Sequence, residues 1–119
     1  MPAIHLTIHH SHCLIEVDSR NFDDVLRENE SVIVEFWAEW CAPCKKLKPI
    51  IDRLAEEFSE IVFARFNVAE GSQIPNRYGV SAIPTLIFFR NGKPVDVVIG
   101  VMPENELRRK VEEFLEIWR

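Results

Sequence analysis

Trp40-Cys41-Ala42-Pro43-Cys44-Lys45 closes the apolar run Val32-Ile33-Val34-Glu35-Phe36-Trp37 and opens a helical pattern. Two cysteines separated by two residues at a strand-to-helix junction point to a reversible dithiol. The first turn of a helix leaves backbone N–H groups unpaired and carries the positive end of the helix dipole, so a sulfur placed there is favoured as a thiolate. The thiolate is the attacking species in thiol–disulfide exchange. Cys41, just ahead of the helix, is therefore read as the nucleophile. Cys44, one turn on, is read as the resolving thiol that attacks the mixed disulfide and releases the partner. Pro43 has no N–H to leave unpaired and its fixed φ suits a helix start, while Trp40 offers an apolar, partly exposed rim beside the sulfur. The competing readings are a zinc half-site or two inert core cysteines. A structural zinc site needs a second Cys or His pair, and nothing downstream of Cys44 supplies one.

The chain around this motif has 119 residues, the length of one domain that buries its own core without disulfide staples. Its 47% apolar and 28% charged residues are the balance of a globular protein rather than a disordered one. A net charge of -5 argues against a nucleic-acid-binding stripe, because acidic surfaces repel phosphate. Three cysteines are too few, and odd in number, for a secreted disulfide framework, which favours a reducing compartment. Met1-Pro2-Ala3-Ile4-His5-Leu6 lacks the basic region and unbroken apolar core of a signal peptide, and no apolar run approaches a membrane span. The expectation is a soluble, cytoplasmic monomer with neither a membrane nor a nucleic-acid partner.

Read in order, residues 1–12 form an N-terminal extension ahead of a domain spanning 13–119. Ile4, Leu6 and Ile8 alternate with His5, Thr7 and His9, the pattern of a short strand or extended arm. All four histidines, His5, His9, His10 and His12, fall here beside Cys13. Imidazole and thiolate are good metal ligands, but this spacing fits no familiar finger, so no metal site is assigned. Cys13 is read as a small packing residue and as the start of a strand reaching Val17. Asn21 is expected to cap a helix bearing Phe22, Val25 and Leu26 on one face.

Val32 to Trp37 has the near-continuous apolar character of a central strand covered on both faces. Glu35 breaks it. A carboxylate buried there has its pKa raised, which makes it a proton donor and acceptor near neutral pH within reach of the thiols, directly or through water. The alternative is an edge position with Glu35 facing solvent.

From Cys44 to Phe58 the apolar residues Leu47, Ile50, Ile51, Leu54, Ala55 and Phe58 recur at three and four, an amphipathic helix that Pro49 bends rather than ends. Lys45, Lys46 and Lys48 lie opposite, as a solvated face or a positive field near Cys41. Ile61 to Asn67 is the next strand, with Arg65 its charged exception. Beside the Glu35 strand, Arg65 would hold that carboxylate ionised and oppose the effect of burial. Gln73 to Tyr78 is a short helix ended by Gly79. Ile83-Pro84-Thr85 enters the strand Leu86 to Phe89, and Asn91-Gly92 turns it back along Val95 to Ile99. Pro103 begins a last helix with Leu107, Val111, Phe114, Leu115 and Trp118 on its apolar face. The result is an α/β fold, a mixed central sheet with helices on both faces.

Phe36-Trp37-Ala38-Glu39-Trp40-Cys41-Ala42-Pro43-Cys44-Lys45, Pro49, Tyr78-Gly79-Val80, Ile83-Pro84-Thr85 and Asn91-Gly92 together resemble the thioredoxin family, from about Cys13 to Trp118. The resemblance implies a thioredoxin-like fold and a protein-disulfide reductase. It implies that Pro84 is a cis-proline beside the dithiol and that Ile83 offers backbone groups to an extended substrate. Trp40, Ala42, Pro43, Gly100 and Val101 would complete the docking surface. Three positions depart from the family pattern. Ala42 stands where glycine is usual, Glu35 replaces a buried aspartate, and Arg65 replaces a lysine and will not release a proton.

The function expected is reduction of disulfides in target proteins through a Cys41–Cys44 couple. The chain has no nucleotide motif, so no cofactor is expected to be bound and electrons would come from a thioredoxin reductase or an equivalent donor. A disulfide oxidant or isomerase is the alternative within enzymes, and a binding module or chaperone using the same face is the alternative outside them. Glutathione-dependent chemistry is disfavoured because Trp40 suits protein docking and no glutathione carboxylate site is visible.

Overall fold

The computed structural model describes residues 14–117. Within them the chain runs β1 (Leu14–Val17), α1 (Phe22–Glu28), β2 (Ser31–Trp37), α2 (Ala42–Glu57), β3 (Val62–Asn67), α3 (Ile74–Arg77), β4 (Thr85–Arg90), β5 (Lys93–Ile99) and α4 (Glu104–Ile117). A 3₁₀ turn at Val68–Glu70 joins β3 to α3. The expected arm over residues 1–12, its histidines, Cys13 and Trp118 lie outside the described residues.

Five strands form one sheet in the order β1-β3-β2-β4-β5. β1, β3 and β2 run parallel, while β4 is antiparallel to β2 and β5 to β4. β2 is thus paired on both sides, and Ser31 through Phe36 are all buried. This is why its sequence is nearly continuous in Val, Ile and Phe: neither face of the strand meets water.

Alternate residues of β2 serve two cores. Ile33 joins Phe63, Leu86 and Phe88 beneath Leu47, Ile51 and Leu54 of α2 and Leu107, Val111 and Phe114 of α4. Val32, Val34 and Phe36 join Ala64, Phe66, Ile87 and Phe89 against Phe22 and Leu26 of α1 and Ile74 of α3. Phe22 packs edge-on to Phe66 and Phe89, at centroid distances of 5.9 and 6.0 Å. The expected mixed α/β sheet with helices on both faces is the fold observed, and it resolves the Glu35 alternatives, because β2 is not an edge.

Local details differ from the sequence reading. Asn21 stands at the start of α1, but its Oδ1 accepts from the Asp18 N–H at 2.7 Å instead of from a helix N–H. The Asp18 carbonyl in turn accepts from Phe22 N–H at 2.9 Å, so the turn before the helix is closed through Asp18. α2 begins at Ala42 and runs without interruption through Pro49 to Glu57. Among the described residues no helix is long and apolar enough to cross a membrane.

Candidate functional site

Parallel strands end and helices begin at the same edge of such a sheet, so the β2–α2 junction points the start of α2 toward solvent. Cys41 is the N-cap of α2, with extended backbone at φ -94° and ψ 106°. Its Sγ accepts a hydrogen bond from the Cys44 backbone N–H at 3.2 Å, one of the donors that a helix start leaves unpaired. Cys41 N–H donates to the Ala38 carbonyl, and the Cys41 carbonyl accepts from Lys45 N–H, which ties the residue to both strand exit and helix entry. The two sulfurs are joined in a disulfide with the Cα atoms 5.3 Å apart. Cys41 is 5% exposed and Cys44 1%, so an incoming sulfur has better access to Cys41.

Ala42 and Pro43 are exposed in the first turn of α2. Trp40 is 73% exposed and forms one wall of a groove of about 210 Å³ whose other walls are Val68, Pro75, Val80, Ser81, Ala82 and Ile83. The Ile83–Pro84 peptide is cis. The Pro84 carbonyl accepts from Gly100 N–H at 2.8 Å, linking the entry of β4 to the exit of β5. Gly100 has φ +88°, a backbone setting that side-chain-bearing residues rarely take, and Val101 follows it exposed. Val68 and Pro75 carry no signal in the sequence, and Val80 enters there only as part of the Tyr78-Gly79-Val80 motif, not as a groove wall. Each lies outside a regular apolar period, so only the packing of the turn after β3 against the loop before β4 brings them to Trp40.

Glu35 sits in the middle of β2, opposite Arg65 on β3 and Leu86 on β4, and is 1% exposed. Arg65 Nε donates to Glu35 Oε1 at 3.2 Å, and the guanidinium carbon lies 3.8 Å from the centroid of the Trp37 ring. Glu35 Oε2 is buried with no hydrogen-bond partner among the described residues. Burial pushes the Glu35 carboxyl above its ordinary pKa. Arg65 and Lys48 pull the other way and Asp52 adds to the rise, with burial the largest effect. Two opposing influences legible in the sequence are thus ranked: loss of water outweighs the guanidinium. Among the described residues no group of three or more His, Cys, Asp or Glu side chains is placed to hold a metal ion.

A pair of cysteines that closes to a disulfide at the N-terminus of a helix, next to an exposed tryptophan and a groove, defines a thiol–disulfide oxidoreductase. The Thioredoxin family model matches residues 13–113. A thioredoxin of Chlorobaculum thiosulfatiphilum is 36% identical over 102 residues, 84% of this chain and 94% of that protein. The chloroplastic thioredoxin M4 of Arabidopsis thaliana is 40% identical over 99 residues, 82% of this chain but 51% of that longer protein. Among solved structures, a mutant thioredoxin of Halobacterium salinarum superposes with a TM-score of 0.78 at 33% identity, covering 85% of this chain and 89% of that one. The chain belongs to the thioredoxin family.

Proposed function

We propose that this protein is a general protein-disulfide reductase of a reducing, cytoplasmic compartment. The observation that carries the reading is the Cys41 sulfur held as the cap of α2, accepting from the Cys44 N–H and already bonded to its partner sulfur. In the reduced protein the same N–H and the helix dipole favour the Cys41 thiolate. That thiolate attacks one sulfur of a target disulfide, forming a mixed disulfide and expelling one target thiolate, which takes a proton. Cys44 then loses its proton, attacks the Cys41 sulfur and expels the second target thiol, leaving the Cys41–Cys44 disulfide. Glu35, buried and with its pKa raised by that burial, serves as the carboxylate that takes up the Cys44 proton and, as the acid so formed, returns it when the dithiol is restored, with Arg65 as its fixed partner. Two electrons and two protons from an external reductase restore the dithiol, and the protein itself carries no cofactor.

An extended stretch of the target lies along Ile83 and Pro84, with Trp40, Ala42, Pro43, Gly100 and Val101 around it. The exposed, mainly apolar groove beside Trp40 supports that placement. The test is insulin reduction in dithiothreitol. Wild type is expected to accelerate precipitation of the reduced chains, Cys41→Ser to lose the acceleration, and Cys44→Ser to accumulate a mixed disulfide. Undiminished activity in Cys41→Ser would overturn the assignment. Partner capture that survives replacement of both cysteines would favour a binding module instead.

A further inference from the structure

Glu16, Arg65 and Glu35 stand in one register row across β1, β3 and β2. Arg65 Nε donates to Glu35 Oε1 at 3.2 Å, while Arg65 Nη1 lies 3.7 Å from Glu16 Oε2. The Glu35 side chain is fully buried and that of Arg65 nearly so, whereas the Glu16 side chain is 66% exposed. One guanidinium therefore has a buried carboxylate on one side, a solvent-facing carboxylate on the other, and the Trp37 ring 3.8 Å from its carbon to hold it between them.

We propose that Glu16 is a positioning residue for the redox site: it shares the Arg65 guanidinium with Glu35 and so sets how much of that positive charge the buried carboxylate receives. Arginine keeps its proton, so Arg65 is a constant charge and its division between the two carboxylates is the variable. Lys48 and Asp52 of α2 also act on Glu35, with opposite signs, and they pair with each other at 2.8 Å. On β4 the residue opposite Glu35 is the neutral Leu86. Glu16 is more exposed than either Lys48 or Asp52, and it lies on a different element from the cysteines. Its charge can therefore be removed without disturbing α2. The ionised Glu16 repels a second negative charge across β3 and draws on the shared guanidinium, and both effects favour the proton on Glu35. The consequence for disulfide exchange rests on the proton-transfer role proposed for Glu35.

The direct test is a carboxyl carbon NMR titration of Glu35 in the oxidised protein, for wild type, Glu16→Gln and Glu16→Asp, alongside the pH profile of target reduction by each. Glu16→Gln is expected to move the Glu35 midpoint to lower pH and Glu16→Asp to leave it near wild type. Molar salt, which screens the exposed charge, should draw wild type toward the Gln variant. An unmoved midpoint in Glu16→Gln overturns the proposal. So does an upward move, which would mean that Glu16 merely anchors Arg65. If the midpoint falls while the activity profile stays put, Glu16 keeps its role and Glu35 loses its place in proton transfer.

Discussion

The Glu35 carboxyl couples the site to pH with a definite sign. Burial raises its folded-state pKa above the value of about 4.3 that an unfolded glutamate has, so the native state holds a proton that the unfolded chain gives up. That stabilising contribution is complete below the unfolded value and is lost as pH rises through the folded one. Glu35→Gln imitates the neutral acid at every pH. Its urea midpoint is expected to lie close to wild type near pH 4 and above wild type near pH 8; a variant less stable at pH 8 would show that pairing with Arg65 outweighs burial. Trp40 gives the complementary case. At 73% exposure it contributes little to the core, so Trp40→Ala should change stability by no more than about 0.5 kcal/mol while raising KM for insulin. An unchanged KM would remove Trp40 from the docking surface.

Among the elements, α2 bears the most on function, because its first turn holds the sulfurs and its buried face fixes its position on the sheet. Leu54 is fully buried between α2 and the strands. Leu54→Ala should lower unfolding free energy by about 2–5 kcal/mol, the range for a truncated buried leucine, as read by chemical denaturation. The β4–β5 hairpin depends on backbone geometry instead. Asn91 and Gly92 have φ of 53° and 81°, the paired positive values that suit a two-residue hairpin turn. A Cβ at Gly92 would meet no atom within 4 Å, so Gly92→Ala should cost about 1 kcal/mol from the backbone alone. A loss several times larger would show that the turn also packs.

At the scale of the molecule, α2 and α4 are tied over one face by ion pairs. Arg53 meets Glu104 at 2.6 Å, and Arg108 meets Glu57 at 3.0 Å and Glu104 at 3.2 Å. Hydrogen bonding from Arg53 is the main cause that holds the Glu104 carboxyl below its ordinary pKa. Its contribution is present above the unfolded value and lost as pH falls through the folded one, the reverse of Glu35. Because the group lies at the surface, only partly buried, the effect is small and salt-sensitive. Glu104→Gln should lower the urea midpoint slightly at neutral pH and low salt and leave it unchanged in molar salt. A loss that persists in molar salt would point to packing of the Glu104 stem. The wild-type pH–stability curve thus combines a gain with rising pH from this surface pair and a loss from the core carboxyl.

How the chain divides into strands and helices was written in local patterns. The two-sided burial of β2 appears as an unbroken Val-Ile-Phe run, the face of α2 as apolar residues at three and four, the hairpin as Asn91-Gly92, and the dithiol as cysteines one helical turn apart. Each depends on neighbours a few residues away, and so each survives in the linear order. Residues 16, 35 and 65 share no period, and they meet because β3 lies between β1 and β2 in a particular register. The ranking of burial over Arg65 at Glu35, the groove walls at Val68, Pro75 and Val80, and the turn in which Asp18 closes the start of α1 arise the same way. They follow from which strands pair and how far water is excluded, which are long-range quantities, so it was the assembled sheet that decided them.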